Sequence, residues 1–139
     1  MTIAVMLLAA SWVQAQGLLE LSAGIYRLRV EVVNTYETRA QGLMFRKGLA
    51  TNSGMLFVFD QTAKHCMWMR NTPITLSVAF VDEQGRIINV EEMLPQTEDN
   101  HCAAKPAKFA LEMNANWFKS RGLGQGISLL GIDKAPPAH

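Results

Sequence analysis

The residues able to do chemistry in this chain come as a repeated dipeptide. His65-Cys66 stands in "AKHCMWMRNT" and His101-Cys102 in "DNHCAAK", and together these hold both cysteines of the 139 residues. A histidine beside a thiol admits three chemistries: a metal site, a Cys/His nucleophile, or a disulfide with imidazoles alongside. Zinc sites built from two Cys and two His normally space their cysteines two to four residues apart, and that spacing is absent here. Successive strand side chains point to opposite faces, so a strand through residues 65 to 70 cannot aim His65 and Cys66 at one metal. Two cysteines in one small domain tend to pair where the compartment is oxidising. Count and spacing therefore favour a Cys66–Cys102 disulfide over a catalytic thiol. The same alternation groups His65, Met67 and Met69 at i, i+2 and i+4. An imidazole and two thioethers on one strand face would suit Cu(I). The plainer expectation is that the methionines fill the core and His65 sits at its rim.

Glu112 is the second residue with chemical potential, because it lies between apolar neighbours in "FALEMN". Strand parity sets it opposite the face of Phe109, Leu111 and Met113. If that second face is covered, Glu112 is a buried carboxyl that needs a partner, with Arg39, Arg46 and Asn71 as the candidates. It would then be a structural brace, or the acid or base of a hydrolase or lyase acting on envelope polymers. Glu91-Glu92 and Glu98-Asp99 are adjacent pairs and read as solvated. No G-x-S-x-G, H-E-x-x-H, C-x-x-C or P-loop is present, and "RGLGQGI" lacks the third glycine of a dinucleotide fingerprint.

These residues need short strands to hold them. Ile25 to Val33 alternates as a half-buried strand, and Thr35 is placed to cap a short helix through about Met44. "GMLFVF" (54–59) and "CMWM" (66–69) read as strands joined by a turn, with Pro73 ending the pairing. "ITLSVAFV" and "IINVEEML" form a hairpin through "DEQGR". After the polar loop "PQTEDNHCAAKP" come a strand in "KFALEM" and a short helix in "NANWFKSRG", with Asn114 as cap and Gly122 as stop. "GISLLGI" closes the sheet, and residues 133–139 read as a loose tail. Seven or so strands with two short helices predict a mainly β, single-domain sandwich or jelly-roll-like barrel over residues 16–132.

Hydrophobic residues make up 49% of the chain and charged residues 18%, with a net charge of +1 and dispersed basic residues. That supports a buried core and argues against nucleic acid or an anionic membrane surface as partner. The opening "MTIAVMLLAASWVQA" carries an uncharged apolar run too short to span a bilayer. With Val13-Gln14-Ala15 at its end it reads as a signal peptide, residues 1–15, cleaved before Gln16. No Lys or Arg stands near Met1, which points to a start further upstream. The expectation is a periplasmic or secreted protein with no stable membrane insertion after cleavage.

Three blocks, "TRAQGLMFRKGLATNSGMLFVFD", "WMRNTPITLSVAFVDEQGRI" and "FALEMNANWFKSRGLGQGISL", resemble the uncharacterised family known as domain of unknown function 192. The resemblance covers roughly Val33 to Leu130. It is carried by Arg39, Gly42, Leu43, Met44, Arg46, Gly54, Met55, Phe57, Trp68, Met69, Asn71, Thr72, Gly85 and Glu112. Met67 departs from the family pattern, which has an aromatic before the Trp. The resemblance implies a jelly-roll-like β fold, often exported, with no established activity. The reading taken forward is an exported, disulfide-stapled β-domain binding a small or extended ligand through Arg39, Arg46, Trp68, Asn71 and Glu112, with no cofactor. A Cu(I) carrier and a Glu112-dependent hydrolase or lyase are the rivals.

Overall fold

The computed structural model describes residues 17–139; the signal-peptide reading of residues 1–15, with its cleavage before Gln16, lies outside the described residues. Leu19–Ala23 (β1) and Tyr26–Val33 (β2) form a hairpin turned at Gly24, whose φ of 58° suits a residue without Cβ. The sequence reading begins its strands at Ile25 and does not include β1. Ser53–Ala63 (β3) then pairs with β2 in parallel. A parallel pair needs a crossover, and the connection carrying the helix Tyr36–Gln41 (α1) supplies it. Thr35 caps α1 as expected: its hydroxyl accepts from Thr38 N, and Thr38 Oγ1 returns a contact to Thr35 N.

Leu76–Val81 (β5), Ile87–Met93 (β6) and Ala107–Asn114 (β8) extend the sheet, and Leu129–Leu130 (β9) ends it. Its order is β6-β5-β8-β3-β2-β1-β9. The two edges meet: Ile87 N donates to Ile127 O, Gly126 N to Ile87 O and Leu129 N to Gly85 O, with a bridge between Arg86 and Ser128. The protein is thus mainly β, with one sheet curled until its edges join. A short ladder of Cys66–Met67 (β4) with His101–Cys102 (β7) stands apart from it.

Both faces of the central strands are covered, as the wholly buried pattern of β5 requires. Inside the curl, Leu21, Leu28, Val30, Leu56, Leu111 and Trp117 form one core. On the other face Leu43, Met55, Phe57, Met69, Val78 and Phe80 form a second.

Four local expectations change. The strand expected over 66–69 ends at Met67. The second helix shrinks to a 3-10 turn, Lys119–Arg121, stopped by Gly122 at φ 66°. Asn114 is the last residue of β8 rather than a helix cap, and its amide instead donates to the carbonyls of Leu49 and Ala50. The C-terminal residues are docked, not loose: Asn34 Nδ2 donates to Pro137 O, His139 N donates to Asn34 O, and Ala135 and Ala138 pack against the inner core. Among the described residues no helix is long and apolar enough to cross a membrane.

Candidate functional site

Strand parity places Glu112 on the outer face of β8, and the second core buries it to 4% exposure. Its cross-strand neighbours are Met55 on β3 and Val78 on β5, both apolar. The strands approach so closely here that a Cβ on Gly54 would run into Met113 Sδ and Glu112 O.

The expected partner is missing. Arg39, on α1, donates instead to Val58 O at 3.1 Å and pairs with Asp60 at 3.3 Å. Arg46 makes a two-pronged contact with Glu31 at 3.0 and 3.1 Å on the surface, which pushes its guanidinium still further from deprotonation. Asn71 is exposed at φ 55°, a left-handed conformation that Asn tolerates, and its carbonyl accepts from Phe45 N. Each expected partner is thus engaged elsewhere. No fully enclosed side-chain polar atom lacks a partner among the described residues, so the carboxyl oxygens of Glu112 must reach open space. Loss of water from its surroundings pushes this carboxyl up to about 8. At neutral pH it is a neutral acid, able to donate one hydrogen bond.

The open space is a cavity of about 240 Å³. Its buried end holds Glu112 and Phe57. One side is α1 and the residues after it, including Tyr36, Arg39 and Gly42; the other is the segment 66–72, which brings Trp68 and Arg70. Much of the family resemblance therefore lines one cavity: Arg39, Gly42, Leu43, Phe57, Trp68 and Glu112 all face it. Of the five ligand-binding candidates the structure gathers Arg39, Trp68 and Glu112 and leaves Arg46 and Asn71 outside. Phe59 and Tyr36, absent from the candidates, complete the aromatic lining; Tyr36 stands in α1 with no periodic partner to single it out.

Cys66 and Cys102 form a disulfide, directly opposite in the β4–β7 ladder with Cα atoms 4.0 Å apart. Such a bond belongs to an oxidising compartment. It ties the loop before Cys102 to the cavity wall, helped by Met69 N to Thr97 O, Gln96 N to Thr72 O and Ala103 N to His65 O. Asn89 grips the same loop through Cys102 O and Ala104 N.

Strand geometry covers only Cys66–Met67, yet burial still alternates along the segment, with His65, Met67 and Met69 each less exposed than Cys66, Trp68 and Arg70. Met69 is fully buried in the second core, Met67 lines the cavity, and His65 stacks on Phe59 with ring centroids 3.8 Å apart while contacting Gln61 O.

Residues 19–130 match a family whose description is "DUF192: Uncharacterized ACR". Two crystal structures are similar. A protein of unknown function from Novosphingobium aromaticivorans is 30% identical with a TM-score of 0.77, the match covering 81% of this chain and 84% of that one. A Sinorhizobium meliloti protein described as "a putative transcription regulator" is 32% identical with a TM-score of 0.75, over 83% of this chain and 92% of that one. No curated protein matches.

Proposed function

The chain belongs to the DUF192 family, and from that premise we propose that it is an exported binding domain whose small ligand seats between α1 and the segment 66–72. The carrying observation is Glu112, a buried acid with no protein partner among the described residues, lining a cavity of mixed polarity with four aromatic side chains. Burying a polar group without a hydrogen bond costs on the order of 1–3 kcal/mol. A ligand that supplies the missing contact recovers that cost, and the aromatic lining supplies the apolar contact typical of small-molecule sites.

Export is supported by the disulfide and by the uncharged apolar run before Gln16. A hydrolytic role for Glu112 finds less support, since glycosidic cleavage commonly uses two carboxyl groups and Glu112 is the one carboxyl lining the cavity among the described residues. A net charge of +1 gives a transcription-regulator role no electrostatic footing.

The test is a screen of small amphiphilic compounds followed by amide shifts in solution. Binders should perturb residues 36–44 and 66–72 together, and Ala40→Trp, which fills the cavity from α1, should abolish the response. Compounds that bind only elsewhere, or a full screen without any binder, would refute the reading.

A further inference from the structure

The charge pattern of the cavity narrows the ligand class. Two arginines line it, and each already has a carboxylate: Arg39 with Asp60 at 3.3 Å and Arg70 with Glu98 at 3.7 Å. Those pairs leave no net positive charge to recruit an anion. Glu112, the remaining acid, makes no ion pair or hydrogen bond among the described residues. The same cavity is lined by Tyr36, Phe57, Phe59 and Trp68. Aromatic faces attract cations through their quadrupoles. Trp68 already does so within the protein, since the Arg70 guanidinium lies 5.6 Å from its ring centroid. Trp68 is 44% exposed, so its ring is open to an incoming group.

Resting on the cavity as the ligand site, we infer that its ligand is an organic ammonium, with the cationic head at Glu112 and an apolar body against the aromatic lining. A buried carboxyl facing an ammonium at close range is favoured in its ionised form. Without ligand the acid keeps its proton, because it is buried and no cation pairs with it among the described residues. Ligand entry therefore transfers the Glu112 proton to solvent, and the new ion pair lies in surroundings that screen it weakly. The groups facing this exchange are Arg39 from α1 with Asp60 from β3, Arg70 with Glu98 beyond it, and the Tyr36 phenol; β5 contributes only Val78 beside the acid. Removing one partner of such a desolvated pair typically weakens binding by about 30-fold or more.

The experiment uses the oxidised full-length mature protein and three probes of one shape: phenethylamine, phenethyl alcohol and phenylacetate. Calorimetry near pH 6.5 in buffers of different ionisation enthalpy reads affinity and protons released. Phenethylamine should bind with close to one proton released, and its affinity should rise roughly tenfold per pH unit up to about pH 8. Glu112→Gln, of nearly the same shape and always neutral, should remove the proton release and, measured above pH 8 where the wild-type acid is ionised, weaken phenethylamine by about 30-fold or more, while the alcohol changes little. Binding of the alcohol or of phenylacetate in preference to the amine, mapped to residues 36–44 and 66–72, would overturn the ammonium inference and leave the cavity reading standing. Should all three probes, and the wider screen, leave those residues unperturbed, the cavity reading falls and the inference with it. Amine binding without proton release, unaffected by Glu112→Gln, would also overturn the inference.

Discussion

Replacing Glu112 with glutamine should make the folded protein more stable at neutral and alkaline pH, and by an amount that depends on pH. The acid titrates near 4.5 when solvated and at about 8 in the fold. Below pH 4 both states are protonated and the group costs nothing extra. As pH rises through the solvated value the unfolded chain releases its proton and the folded chain keeps it, so the unfolded state gains. Stability therefore falls from about pH 4.5 to about pH 8 and levels off above. At about 1.4 kcal/mol per pKa unit the full penalty is on the order of 5 kcal/mol, with roughly 3 of it present at pH 7. Against a typical total of about 5–15 kcal/mol that is a large share. Glutamine keeps the shape and cannot ionise. Urea unfolding of both proteins from pH 4 to pH 9 isolates the effect, since every other group titrates equally in the two. The two stabilities should converge near pH 4 and separate in favour of the variant by several kcal/mol at pH 8. Parallel profiles, or a wild type that stays the more stable at pH 8, would refute the burial argument.

Other perturbations follow from the packing. Gly54→Ala forces a methyl into Met113 Sδ and the Glu112 carbonyl, and should cost about 2 kcal/mol or more by denaturant unfolding. Thr35→Ala removes the α1 cap and should cost about 1 kcal/mol, with faster amide exchange confined to residues 36–42. Protein recovered from the periplasm should show no alkylatable thiol before reduction, and changing Cys66 and Cys102 together to alanine should cost roughly 3–4 kcal/mol; two free thiols would contradict the bridge. N-terminal sequencing of the same material should begin at Gln16, and an intact Met1 in the cytosol would count against export.

What the sequence makes legible is what depends on short-range pattern. Alternation finds β2, β5 and β8 because each has apolar residues every second position, the turn at Gly85 finds β6, and Thr35 announces α1 through its hydroxyl alone. The burial of Glu112 is legible from parity, provided its second face is covered. Its lack of a partner is not, because Arg39 and Arg46 reach the same part of the molecule and only distances show that Val58 O, Asp60 and Glu31 hold them. Asn71 carries a polar side chain that invites a binding role, whereas its φ of 55° shows a turn residue chosen for its backbone. The methionine grouping is legible from the same parity, and burial keeps alternating past Met67 although β4 itself lasts only two residues.

The wall made by residues 66–72 belongs to no strand of the main sheet. One two-residue ladder, one disulfide, a few backbone contacts and the buried Met69 side chain hold it in place, while the curled sheet has its own closure. Segments outside the main ladder open at lower free energy than the sheet they rest on. Protein produced in a reducing cytoplasm would keep its strand content and a cooperative, though lower, melting transition, while this wall opened more often. Checks that ask only for strand content and a single transition would miss the defect. Ligand searches on reduced preparations would then return false negatives, and oxidation state, rather than purity or a cooperative melt, is the quality criterion that matters for material entering such a search.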